Sequence, residues 1–302
     1  MLGGDELNMN GNDGKDYKYE YDKTLLTDLE SKYIYIPLSV IVDNELDVKR
    51  VGIFSYLRIH CGLNDLIGFT IPDIVTWCGM KPNNREGKTN DKFLSIIDEF
   101  NSRGYLTYLT NKDKNTYMKC KLDMEYYYSQ CSDGYAIVYL DELQKIMDYK
   151  NLQGNSIDNT IMLLVFAYFR NKIFRRPNEL KPEEQTADGI TQRRMRLPEA
   201  ASSNITTIAS ELGVHKQTLT KAIDILENEL NLIVTDRAYR IKNEDGEFRT
   251  LPTLFANAYK REDKYLLNTE EDYSRIEIEL KAENMKQCYQ GYKINKRKRN
   301  KE

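Results

Sequence analysis

A chain of 302 residues, 40% apolar and 30% charged, has room for two compact domains and the composition of a soluble globular protein. Its longest apolar run, residues 161–169, is too short for a bilayer span, and the first residues show neither a charged n-region nor an apolar h-region, so a cytoplasmic protein without membrane partners is expected. A formal net charge of −3 excludes a uniformly basic polyanion binder, although residues 1–30 carry eight carboxylates against three lysines and residues 291–302 carry six cations against Glu302.

Residues 1–30 are polar, rich in Asp, Asn and Gly, and read as a disordered acidic leader. A first unit follows over residues 31–125. It opens on a strand at 33–38, closed by Pro37, and continues with a helix at 47–60 whose Val51, Phe54, Leu57 and Ile59 recur near helical spacing. Thr70 or Asp73 can start a second helix at 71–78, and Gly79 ends it. After a polar loop comes a third helix from Thr89 or Asn90 to Ser102, with Phe93, Ile96, Ile97 and Phe100 on one stripe and Gly104 as its stop. Residues 105–109 and 116–121 read as a hairpin turning at 111–115.

A second unit over residues 126–258 repeats the order. Tyr126-Tyr127-Tyr128 reads as an aromatic linker or packing patch. A strand at 135–139 and a short helix at 141–149 lead to a long helix at 156–174 with an almost wholly apolar middle. A basic insertion at 175–202 follows. Helices at 204–212 and 215–230 and strands at 232–241 and 248–255 complete the unit. Ile97-Asp98 with Phe100, ahead of Gly104-Tyr105-Leu106, corresponds to Ile223-Asp224 with Leu226, ahead of Asn231-Leu232-Ile233. The chain closes, over residues 259–302, with a helix at 271–290 and a basic tail. The expected class is α+β and helix-rich. Cysteines 61, 78, 120, 131 and 288 are odd in number and lack a C-x-x-C pair, which fits reduced buried thiols.

The chemistry concentrates in residues 203–255. Leu219, Ala222, Ile223 and Leu226 share one helix face. Lys216, Gln217, Thr220 and Lys221 therefore stand on the opposite face, along the first turns. A helix that reads a major groove needs this division: N-terminal side chains on base edges, an apolar stripe on its own domain. Gln bonds adenine bidentately, Lys reaches guanine acceptors or phosphate, and Thr218 and Thr220 suit phosphate or a thymine methyl. Gly213 supplies the turn between the helices. Arg237, Arg240 and Lys242, with Arg249 nearby, stand on the following strands, where a wing would meet phosphates. Arg193, Arg194 and Arg196 in the insertion, and the tail run Lys296-Arg297-Lys298-Arg299, suit phosphates or a minor-groove arm, or else a solvated surface.

The first unit is a poorer reader, since Asp91 at the start of its third helix would repel phosphate. A dimerisation surface is the expectation there, with DNA contact and plain scaffold as alternatives. Gly87-Lys88-Thr89 lacks the upstream glycine of a phosphate loop, that position being Pro82. With His60 and His215 as the only histidines there is no H-E-x-x-H, and no G-x-S-x-G occurs. No catalytic residue, cofactor or metal is expected.

Two units of this order, each opened by a strand such as Tyr33-Ile34-Tyr35-Ile36-Pro37-Leu38, with Ile205 to Leu226 as a helix-turn-helix followed by a wing, resemble the tandem winged-helix replication initiators of plasmids and related mobile elements. They are also similar to the N-terminal domains of primosomal replication proteins of Gram-positive bacteria. The resemblance covers about residues 31–255. It implies two winged helix-turn-helix domains, origin or operator DNA as ligand, and Lys216, Gln217, Thr220 and Lys221 in the recognition position. The expected function is non-enzymatic, sequence-specific binding of double-stranded DNA in replication initiation of a plasmid, phage or conjugative element, with a homodimer and replication proteins as further partners. A transcriptional regulator and a protein–protein adaptor in a replication complex are the alternatives.

Overall fold

A computed structural model describes residues 32–43, 45–150, 157–173, 201–236, 239–242, 248–250, 253–257 and 293–296. The leader at 1–30, the helix expected at 271–290, Arg237 and the insertion cations Arg193, Arg194 and Arg196 lie outside them.

The first unit opens on β1 (Tyr33–Pro37), whose Ile34 and Ile36 point inward while Tyr33 and Tyr35 face outward, the period-2 alternation of a half-buried strand. Next come α1 (Leu38–Ile41), α2 (Arg50–Ile59), β2 (Leu66–Phe69) and α3 (Ile71–Trp77). Thr70 and Asp73 both serve the start of α3: Thr70 Oγ1 accepts from the Asp73 N–H, and the Asp73 carboxylate accepts from the Thr70 N–H, forming a capping box. Then follow α4 (Thr89–Ser102), β3 (Leu106–Tyr108), β4 (Met118–Leu122) and α5 (Met124–Gln130). The tyrosine run, expected as a linker or packing patch, lies on this helix and packs through Tyr127. Asp123 caps it, Tyr127 stacks on Phe54 at 5.8 Å, and the Tyr127 hydroxyl donates to the Tyr35 carbonyl at 2.7 Å.

The second unit runs through β5 (Tyr135–Tyr139), α6 (Leu140–Met147), α7 (Asn159–Lys172), β6 (Ala201–Ser203), α8 (Ile205–Leu212) and α9 (Lys216–Asn228). It continues with β7 (Ile233–Asp236), β8 (Tyr239–Lys242), β9 (Phe248–Thr250) and β10 (Thr253–Asn257). Each expected closing strand breaks in two. β7 and β10 pair with each other, and β8 and β9 form an added hairpin between them. Alternation along a strand does not state its partner, so the break is invisible in sequence. Of the expected basic tail, β11 (Lys293–Lys296) pairs with β8, and Arg297, Lys298 and Arg299 lie outside the described residues.

One plan therefore occurs twice: helix, strand, helix, helix, strand, strand. The sheets are antiparallel with orders β2-β4-β3 and β6-β10-β7, so in each the last strand lies between the other two. The opening strands also pair with each other. In the β1–β5 ribbon Tyr35 lies opposite Ile137, each the middle residue of a five-residue strand, with Tyr33 opposite Tyr139 and Pro37 opposite Tyr135. The two central positions thus meet on a local two-fold, and the first residue of each strand meets the last of the other. Below the ribbon, α2 meets α7, and the buried side chains form one continuous cluster from Ile34 to Phe255. α7 is buried almost throughout because α2, α6, α9 and β5 all surround it, which explains its apolar middle.

Gly52 sets how closely α2 and α7 approach. A Cβ there would stand 2.6 Å from Thr160 Cγ2 and 3.3 Å from Cys78 Sγ. Gly52→Ala is expected to destabilise the fold by about 1–3 kcal/mol through overpacking. Adding Thr160→Ser, which removes Cγ2 but keeps the hydroxyl bonded to Asp158, should restore part of that stability. Equal urea midpoints for Gly52→Ala and the parent chain would show that this contact does not constrain the helices.

Candidate nucleic-acid interface

The interface is built on α8, a glycine turn and α9. α8 buries Ile208, Ala209 and Leu212 and ends where Gly213 adopts φ 66° and ψ 27°, a left-handed conformation that costs other residues more than glycine. The Val214 N–H donates back to the Ala209 carbonyl at 3.0 Å, closing the turn. The chain then enters α9 at His215, whose exposed side chain makes no cap hydrogen bond. On the inward side of α9, Leu219, Ala222, Ile223, Ile225 and Leu226 are buried. Lys216 and Gln217 are exposed, and Thr218, Thr220 and Lys221 are half-buried at the rim of that packing.

Among the described residues, neither Lys216 nor Lys221 forms an ion pair, so both charges are available to a ligand. The Thr220 hydroxyl donates to the Lys216 carbonyl at 3.0 Å. It is therefore already used within the helix and can meet an incoming phosphate only as part of a shared arrangement. The frame behind these residues is held by polar ties. The Tyr168 hydroxyl on α7 donates to Glu211 on α8 at 2.6 Å, and Lys172 approaches the same carboxylate at 3.7 Å. Burial first, and then the Glu211 carboxylate, push the Tyr168 phenol well above its ordinary pKa, so it stays a donor across the neutral range. Glu227 at the end of α9 accepts from the Thr235 N–H and hydroxyl, both at 2.8 Å, fixing β7 to the helix.

Arg240 and Lys242 lie on β8 and Arg249 on β9, in a sheet separate from β6-β10-β7. Arg240 and Lys242 thus stand on an added hairpin, whereas β7, which packs on α9, belongs to the other sheet.

In the first unit, the objection raised by Asp91 falls. Its carboxylate pairs with Lys114 of the β3–β4 loop and accepts the Gly87 N–H at 2.6 Å. The Lys114 contact first, and then the Gly87 hydrogen bond, hold the Asp91 pKa below its usual value. The folded pKa is depressed, so this clasp operates above the ordinary carboxylate range and is lost as pH falls through the lowered value. The long loop before α4 is ordered by the buried Asn90. Its side chain accepts from the Asn83 N–H at 2.9 Å and donates to Asn84, while its own N–H donates to the Asn83 carbonyl. Lys81, Arg85, Lys88 and Lys92 are left exposed, unpaired among the described residues, with Glu86 as the exposed acid beside them. The burial of Asn90 is the one signal in sequence: a polar residue at a core-facing position of α4.

Among the described residues, no group of three or more His, Cys, Asp or Glu could hold a metal ion, and no helix is long and apolar enough to cross a membrane. Cys78 and Cys120 are buried free thiols, and burial raises both above their ordinary pKa. No protein-family model, curated protein or solved structure matches this chain.

Proposed function

We propose that both units are winged helix-turn-helix modules and that the chain is a non-enzymatic, sequence-specific binder of double-stranded DNA that initiates replication of a plasmid, phage or conjugative element. The observation that carries this reading is the leading edge of α9. It offers Lys216 and Gln217 outward, with Thr218, Thr220 and Lys221 beside them, above a buried apolar stripe and after a left-handed glycine turn. Gln217 has the chemistry to read adenine, and the two lysines can reach guanine or phosphate. The twofold occurrence of a three-stranded sheet with its last strand central supports the winged-helix assignment. In the first unit the neutralised Asp91 and the exposed Lys81, Arg85, Lys88 and Lys92 favour a phosphate contact over a surface for a second copy.

The test is a salt titration of the full chain against a duplex selected from a random pool. Affinity should fall with added salt, with a slope of log K on log salt of about −0.9 for each phosphate neutralised. Undetectable binding to any duplex at low ionic strength would sink the DNA reading and leave the adaptor. A regulator would use the same interface. Genomic context separates the two: an array of direct repeats of the selected site adjacent to the gene supports initiation, and a nearby divergent promoter supports regulation.

A further inference from the structure

In sequence, the last ten residues read as a cationic tail. In the fold, residues 293–296 form an edge strand on the added hairpin, giving a third three-stranded antiparallel sheet, of order β11-β8-β9. The three strands read Lys-Ile-Asn-Lys, Tyr-Arg-Ile-Lys and Phe-Arg-Thr. Arg240, Lys242, Arg249, Lys293 and Lys296 stand on them with no carboxylate among them. The register places Lys293 opposite Lys242 and Asn295 opposite Arg240. Like charges at directly opposed strand positions repel and weaken the pairing. A sheet that concentrates cations in this way gains from a polyanion laid across it, which relieves the repulsion and releases counterions.

We propose that β11 completes a composite cationic wing, built from two segments some fifty residues apart in sequence, and that this wing holds the sugar–phosphate backbone of duplex DNA beside the groove entered by α9. The inference rests on the DNA-binding reading above and adds a second contact to it. It assigns the C-terminal segment to a fixed position on the protein, where a tethered polycation would have none. The wing is assigned affinity and not base readout, because a phosphate contact positions the duplex and carries no sequence information.

Two full-length variants test it. Lys293→Gln with Lys296→Gln removes two charges and keeps the strand. Ile294→Pro with Asn295→Pro keeps every charge and breaks the strand, since successive N–H groups alternate sides and one of the two must face β8. Each variant is expected to bind duplex about tenfold more weakly at low salt, and the glutamine variant should lower the salt slope by about 1–2. Both reductions should be equal for selected and random duplexes. If the glutamine variant keeps the parent affinity and slope, the wing makes no phosphate contact. If the proline variant binds like the parent, the segment acts as a loose polycation, and the composite wing is wrong although DNA binding stands. If the parent chain binds no duplex at all, the functional reading fails and this inference with it. The thermal midpoint of each variant reports folding, and the glutamine pair, being conservative, decides should the proline pair unfold.

Discussion

Lys216→Ala combined with Lys221→Ala is expected to weaken binding of the selected duplex by about 10- to 100-fold and to lower the salt slope by about 1–2, one unit for each phosphate that is no longer neutralised. The stability of the chain should change by no more than about 0.5 kcal/mol, because Lys216 is exposed, Lys221 is half-buried, and neither is ion-paired among the described residues. Gln217→Ala should behave differently. A bidentate bond to a base edge discriminates by about 1–3 kcal/mol, so its removal relaxes preference at one base pair while random-duplex affinity hardly moves. Fluorescence anisotropy against selected and scrambled duplexes reads both effects. If the lysine pair leaves both affinities at the parent value while the fold is intact, α9 does not enter a groove, and another face of the chain must carry any binding.

Arg50→Met is expected to destabilise the fold by about 3–5 kcal/mol, a large share of the total stability of a domain. Arg50 is fully buried at the start of α2. Its Nε donates to the Val40 carbonyl at 2.7 Å, Nη2 to Ile41 at 2.7 Å, and Nη1 to Leu46 and Asp47 at 3.1 and 3.3 Å. One guanidinium thus serves the carbonyls at the end of α1 and in the turn that leads into α2, where Asp47 accepts the Arg50 N–H as well. Burial lowers its pKa, while Asp43 and Asp47 act in the opposite direction. Methionine fills much of the volume but takes the donors from the Val40, Ile41 and Leu46 carbonyls, and each buried carbonyl so orphaned costs about 1–3 kcal/mol before relaxation. Arg50→Lys should recover only part, because an ammonium is a point donor and cannot span the carbonyls as a planar fork does. Urea midpoints measure the series. A shift below about 1 kcal/mol for Arg50→Met would mean that the turn relaxes to find other donors.

The elements that are legible in sequence are those whose signals lie within one or two helical turns. The third helices α4 and α9 are expected at 89–102 and 215–230 and are found at 89–102 and 216–228. Their correspondence of Ile97 with Ile223 and Phe100 with Leu226 reappears as four fully buried side chains. Sequence narrows the start of α3 to Thr70 or Asp73, and a capping box uses both. By contrast, β2 and β6 escape a sequence reading. They have four and three residues, too few for an alternation to stand out, and they exist because β4 and β10 offer them a ladder. α5 is hidden for a related reason: three consecutive tyrosines show no helical stripe, and only Tyr127 is buried.

The same division runs through the candidate interface. Sequence alone determined which side of α9 is polar, where Gly213 turns the chain, and that Lys216, Gln217, Thr218, Thr220 and Lys221 fall together, because helical periodicity and glycine's conformational freedom are local properties. Tertiary structure decided which charges remain free. Asp91 is withdrawn by Lys114, a residue 23 positions away, and the loop ahead of α4 is ordered by Asn90. It also decided that the cations of β8 and those of β11 occupy one sheet. Strand pairing and charge neutralisation depend on which distant segment arrives alongside. No local pattern of residues records that choice.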